Sequence, residues 1–319
     1  MLQPHQVQTG VEHAAKTAEH AAEGFNAGET IIGHVANSSL DHPLIHLPKV
    51  YGIDFSVTKH VFMLWLVALV VFVVVTWTVR KFIAREREQP VPQGFGNALE
   101  AVVEFIRDAI AQPNVGQKWV RTWTPLLLTL FVFIFSANLV GLIPMFDVLA
   151  LVNHSVLHLP DDAFLTRLTH GGVTSTGNFN VTAGLATVTF FAIIIAGTRA
   201  HGFVKHWKNL VPHGLPGPIY LILVPIEIMG MFVRPFALTM RLAANMTGGH
   251  IAVLAILSFV FIFAELFGTA VAGIGVGVAI SLPLAVGISA LEIIVVLVQA
   301  YVFTLLTAVF IGMAIHAHH

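Results

Sequence analysis

Five apolar runs divide a chain that is polar at its start and in its loops. Residues 61–79 (VFMLWLVALVVFVVVTWTV) carry no charge and are long enough to cross a hydrocarbon core of about 30 Å. Arg80, Lys81, Arg85 and Arg87 follow at once. Basic residues flank the cytoplasmic side of a span, so that end is expected inside and the start of the chain outside. Pro90 and Pro92 then interrupt the chain. Over 97–112, Leu99, Val102, Val103 and Ile106 oppose Glu100, Glu104, Arg107 and Asp108. This 3.6-residue period predicts an amphipathic helix lying in the cytoplasmic interface. A second span is predicted at 125–146 and a third at 181–198. The loop 147–178 between them holds Asp147, His154, His158, Asp161, Asp162 and His170 but only Arg167 as a base, and is expected outside. Arg199, Lys205 and Lys208 follow the third span, so that end is again inside.

The last third, 219–315, is almost continuously apolar. Gly268, Gly273, Gly275 and Gly277 predict a turn near 265–277, giving helices over 219–264 and 278–314. At 1.5 Å per residue these measure about 69 and 55 Å, far more than the core. They are therefore steeply tilted or broken, with Pro225, Pro235 and Pro283 as candidate kinks. Five crossings place the C-terminus in the cytoplasm. No internal repeat is evident, which counts against the common secondary-transporter architectures.

Composition agrees with this reading. The 319 residues are 56% hydrophobic and only 10% charged, with a mean hydropathy of +0.82. Soluble domains carry about 25% charged residues. The fold class is thus an all-α integral membrane protein of about five crossings, with a transmembrane domain over 56–319 and a polar arm over 1–55. The net charge of −1 offers no footprint for nucleic acid. With no cysteine in the chain, disulfides and thiolate chemistry are excluded. The arm carries His5, His13, His20, His34, His42 and His46, without paired metal-ligand spacing and without the apolar core of a signal peptide. No cofactor or metal site is expected, and the terminal His316, His318 and His319 read as a polar end.

Against this background the charges inside the last third stand out. Arg241 lies within VRPFALTMRLAANMTGGH (233–250). A fixed cation inside a span costs roughly 2.5–3.5 kcal/mol on insertion scales, and arginine cannot shed its proton to escape the cost. Glu227, Arg234 and Arg241 are seven apart and share one helix face, as does Asn245, four residues on. Glu292 and Gln299, also seven apart, share a face of the last helix. An antiparallel pairing with His250 beside Glu292 brings Gln299 level with Arg241 within about 3 Å. A titratable pair then lies about two turns on one side of the arginine, and Glu227 about four turns on the other. Arg234 fits an anchor at the inner interface as well as it fits a path, and Glu265 marks a helix end. Together the groups point to ion transport.

At these residues the chain resembles subunit a of the F-type ATP synthase membrane sector, over about residues 55–315. The stretch around Arg241, Asn245 and Met246 and the segment ALEIIVVLVQAYVFTLLTAVF (290–310) carry the resemblance. SANLVGLIP (136–144) and TSTGNFNVTAGLA (174–186) are similar to further family signatures. The resemblance implies two offset aqueous half-channels facing a rotating ring of subunit c, with the peripheral stalk subunit b, other synthase subunits and the lipid bilayer as partners. It implies that Arg241 is the essential arginine, with Asn245 and Gln299 beside it. His250 and Glu292 would be the outer half-channel and Glu227 the cytoplasmic one. Ala243 departs from the family, where an aromatic is usual. A bacterial inner membrane is the expected location. No P-loop is present, so the chain itself would not bind ATP. A stand-alone cation/proton antiporter and a purely structural membrane subunit are the rival readings. A metalloprotease fails because no HExxH occurs among 17 histidines.

Overall fold

The computed structural model describes residues 56–85, 94–142, 175–208, 217–267 and 270–316, with isolated positions between 28 and 47. Most of the polar arm, Pro90 and Pro92, residues 143–174, and His318 and His319 lie outside the described residues. The elements are α1 (Lys59–Arg85), α2 (Phe95–Glu104), a π-helical stretch (Phe105–Ala111), α3 (Gln112–Val115), α4 (Val120–Leu142), a 3-10 turn (Ser175–Gly177), α5 (Phe179–His201), α6 (Phe203–Lys208), α7 (Gly217–Leu266) and α8 (Ala270–Ile315). No extended pairing occurs among the described residues beyond one bridge between Ile45 and Val57. Five helices are long and apolar enough to cross a membrane. The protein is an all-α membrane protein.

Helix ends follow local chemistry. The Asn178 side chain accepts from the backbone N–H of Asn180 and starts α5. Gly202, at φ 84°, ends α5 and donates its N–H to the carbonyl of Thr198; only glycine takes that backbone cheaply. Gly116, at φ 78°, ends α3 in the same way. The predicted interfacial helix is present but changes pitch. After Glu104 it widens into the π-helical stretch, where Ile106 and Ile110 are fully buried while Arg107 and Asp108 stay exposed. Arg107 donates to both Asp108 oxygens, at 2.7 and 2.8 Å, which holds that carboxyl below its usual range.

One expectation for the last third is corrected, and one of two open alternatives drops out. The chain turns at Phe267, so the glycines at 273, 275 and 277 lie inside α8 rather than in a turn. Neighbouring helices resupply backbone partners in a membrane, and glycine there serves close packing instead. Pro225, Pro235 and Pro283 lie inside unbroken helices of 50 and 46 residues. Neither helix is interrupted at these prolines.

The described chain forms two compact units. In the first, residues 250–289 form a helical hairpin. There a Cβ on Gly277 would come within 2.7 Å of the Val260 Cα. In the second, a core joins the interfacial segment (Ile106, Ile110) to α4 (Leu127, Ile134), α7 (Leu238, Leu242, Met246) and α8 (Val296, Phe303, Ile311). One stripe of α8 is small at every fourth position: Ala300, Thr304 and Ala308 are fully buried, and Gly312 abuts the Asn114 backbone. Small residues let helices approach closely where lipid removes the hydrophobic drive between them.

Candidate functional site

The functional side chains sit on α7 and α8, and most belong to the second unit. Glu227, Arg234, Arg241 and Asn245 climb α7 in steps of seven, seven and four residues. Arg234 Nη2 lies 3.4 Å from Glu227 Oε1, and both side chains are partly covered. The guanidinium of Arg234 also stands 5.7 Å over the Phe310 ring. The ambiguity over Arg234 is thereby narrowed: it is the cationic partner of Glu227.

Arg241 differs from Arg234. It is exposed, in the middle of a 50-residue apolar helix, and no hydrogen bond or ion pair reaches it among the described residues. Its neighbours Leu242 and Met246 face the core, so packing fixes the backbone while the charge points outward.

One turn along, Asn245 Nδ2 donates to Gln299 Oε1 at 2.8 Å. Gln299 therefore bonds to Asn245, about 3 Å, or half a turn, from the level that the His250–Glu292 pairing sets for it. Gln299 is 3% exposed, and its Nε2 has no partner among the described residues. A buried donor left open in a membrane interior is costly, and water is its usual remedy. Glu292 is half-buried, and its carboxylate lies against Gly249, where a Cβ would collide with it. His250, the next residue of α7, is also half-buried and engaged. Glu265 is exposed near the end of α7.

A polar cluster not assigned a role from the sequence lies in the second unit. Thr176 Oγ1 donates to Asn138 Oδ1, and both residues are fully buried. The Asn138 Nδ2 has no partner. Thr247 on α7 donates to the carbonyl of Gly177 in the same turn. The signal lay in SANLVGLIP and TSTGNFNVTAGLA, whose polar residues interrupt apolar surroundings. Only tertiary contact brings them together. No group of three or more His, Asp or Glu side chains suited to a metal occurs among the described residues.

A cation is thus held at the middle of the apolar α7 and faces outward, with Glu227 on one side of it along the helix and Glu292 on the other. The family profile for the ATP synthase A chain matches residues 61–312. The chain belongs to that family. It is 37% identical over 307 residues to ATP synthase subunit a 2 of Chlorobium luteolum, covering 94% of this chain and 79% of the relative. It is 36% identical to ATP synthase subunit a 2 of Prosthecochloris aestuarii, covering 94% and 83%. It is 34% identical to ATP synthase subunit a of Anaeromyxobacter dehalogenans, covering 97% and 75%. Family membership and the five apolar helices make it a multi-pass membrane subunit of a proton-translocating F-type ATP synthase, in a bacterial membrane.

Proposed function

We propose that the chain is the proton-conducting stator of the synthase membrane sector, with two offset half-channels against a rotating ring of subunit c. The observation that carries this reading is Arg241: exposed, at mid-helix, and without a counter-charge among the described residues. A cation so placed is stabilised when a carboxylate of another subunit passes it. In this reading His250 and Glu292 form the outer path and Glu227 the cytoplasmic one. The N-terminus is outside and the C-terminus cytoplasmic. Subunit b and the remaining synthase subunits hold the chain fixed. It is not an enzyme by itself.

The mechanism follows from charge. A proton from the outer path neutralises a ring carboxylate, which then turns into lipid, where the charged form is strongly disfavoured. At the cytoplasmic path it releases its proton. Arg241 attracts the ionised carboxylate and lowers its pKa, favouring release. Guanidinium does not relay protons at these pH values, so the same residue bars direct hopping between the paths. Each charge moved across 100 mV contributes about 2.3 kcal/mol. Asn245 and Gln299 flank the arginine as a polar pair that keeps the waist hydrated.

The test is proton flux in vesicles holding the assembled complex with Arg241→Ala. The expected result is loss of ATP-driven pumping together with a passive leak down an imposed potential. Normal pumping by the variant would refute the role given to Arg241 and favour a structural subunit.

A further inference from the structure

Behind the Arg241 helix lies a cleft of about 360 Å³ between α5 and α7, within the second unit. Phe179, Ala183 and Phe190 line it from α5, and Phe232, Phe236 and Thr239 from α7. At 100° per residue, Phe232, Phe236 and Thr239 lie about 140–180° round the helix from Arg241. The cleft is therefore on the opposite face, and runs from about 3 to about 14 Å below the arginine along α7.

Three observations define its occupant. First, its walls offer no free polar group from their side chains. The two hydroxyls present are already used, Thr187 on the carbonyl of Ala183 at 2.7 Å and Thr239 on that of Pro235 at 3.0 Å. Second, the cleft opens to the membrane, since Phe179, Phe232 and Phe236 are 42%, 61% and 56% exposed. Third, it is closed at one end. The rings of Phe190 and Phe232 stack across the helices with centroids 5.4 Å apart. From Phe179 to Phe190 the wall runs about 16 Å along α5, close to the thickness of one leaflet of hydrocarbon. A transmembrane helix lying along this groove would run past its closed end and displace the Phe190–Phe232 pair, whereas a single acyl chain can stop there.

We propose that this cleft binds one acyl chain of a membrane lipid, entering beside Phe179 and ending on the Phe190–Phe232 pair. The bound chain fills the gap behind α7 and braces the helix that carries Arg241. Dispersion against four aromatic rings, with no hydrogen bond to satisfy, selects hydrocarbon over any polar ligand.

The experiment uses the assembled complex in vesicles containing a phospholipid with a photoactivatable diazirine in its acyl chain. Labelled residues are then mapped by mass spectrometry. Labelling at 183–190 and 232–239 is expected several-fold above that at Phe191 and Ile195, which are exposed on α5 outside the cleft. Ala183→Leu, which fills the floor, should reduce it to that background. Equal labelling inside and outside the cleft in the unmodified complex overturns the proposal, as does undiminished labelling in an assembled Ala183→Leu complex. If that variant does not assemble, the unmodified complex decides alone. Arg241→Ala should leave the labelling unchanged, so this inference and the proton-path reading fail separately.

Discussion

Glu292, proposed for the outer path, is packed tightly against Gly249. With no side chain on Gly249, the carboxylate lies directly against the α7 backbone. Gly249→Ala would push the flexible end of Glu292 aside without disturbing the backbone. Proton flux driven by an imposed potential should fall several-fold while the assembled complex keeps its thermal stability. Unchanged flux would remove Glu292 from the path. The Asn245–Gln299 bond makes a different prediction. Asn245→Leu leaves the buried Gln299 amide without its partner, and the unmade bond costs about 1–3 kcal/mol. Adding Gln299→Leu should restore stability, because two apolar groups leave nothing unsatisfied, but it should not restore flux. Recovery of both would reduce the pair to a structural role. The candidate residues were legible because a charge in an apolar run is conspicuous, and the seven-residue spacing of Glu227, Arg234 and Arg241 needs only helical geometry. Which residue of α7 meets Gln299 was not legible. That register depends on how two helices interlock, and spacing along either one fixes it only to about half a turn.

The helices divide along the same line. Uncharged runs located the first three spans, because hydrocarbon tolerates little else, whereas the last two, which carry Glu227, Arg234, Arg241 and Glu292, were divided at glycines. What the runs concealed was the buried face. In α8 the lipid-facing residues are as apolar as the core-facing ones, so amphipathic periodicity carries almost no signal. The stripe of Ala300, Thr304, Ala308 and Gly312 is the exception, marked by size instead of polarity. Gly312→Val should be among the most destabilising substitutions, since its side chain would meet the Asn114 backbone rather than a movable group. Overpacking of this kind costs about 1–3 kcal/mol. Met313→Val, on the exposed face, should cost little. Comparing how readily detergent strips each variant subunit from the complex checks the difference. Reading the glycines at 273, 275 and 277 as a turn failed because they lie inside α8, where Gly277 packs against the Val260 backbone while Gly275 faces open space.

For the molecule as a whole, the ends of three helices meet through histidine. His201 Nε2 contacts the carbonyl of Ile315 at 3.0 Å, and His316 Nε2 contacts that of Val115 at 3.3 Å. His206 is buried against Gly197 with its Nε2 unpartnered. Burial, aided by nearby His201, pulls the His206 pKa below its usual value. A lowered folded pKa means that the unfolded chain takes the proton first. The contribution of His206 is complete above about pH 6.5 and is lost as pH falls towards the folded value. Thermal release of this subunit from the complex should therefore occur at lower temperature at pH 5.5 than at pH 7.5. His206→Gln should narrow that difference, and an equal pH effect in the variant would place its cause elsewhere.

The unbroken length of α7 has one more consequence. Its apolar stretch, Pro218–Phe263, is 46 residues long. A straight helix of that length, about 69 Å, would fit a membrane of about 30 Å hydrocarbon, or 45 Å with headgroups, only at roughly 50–65° from the normal. At that inclination the axis advances about 21 Å from Glu227 to Arg241, of which some 16–19 Å is sideways and only about 9–14 Å is depth. Acid and arginine on one helix are thus displaced more along the plane of the membrane than through it. A carrier that trades protons at such stations has to be transported laterally. On the proposed function, such an inclination would let a voltage across the membrane be spent on motion within it.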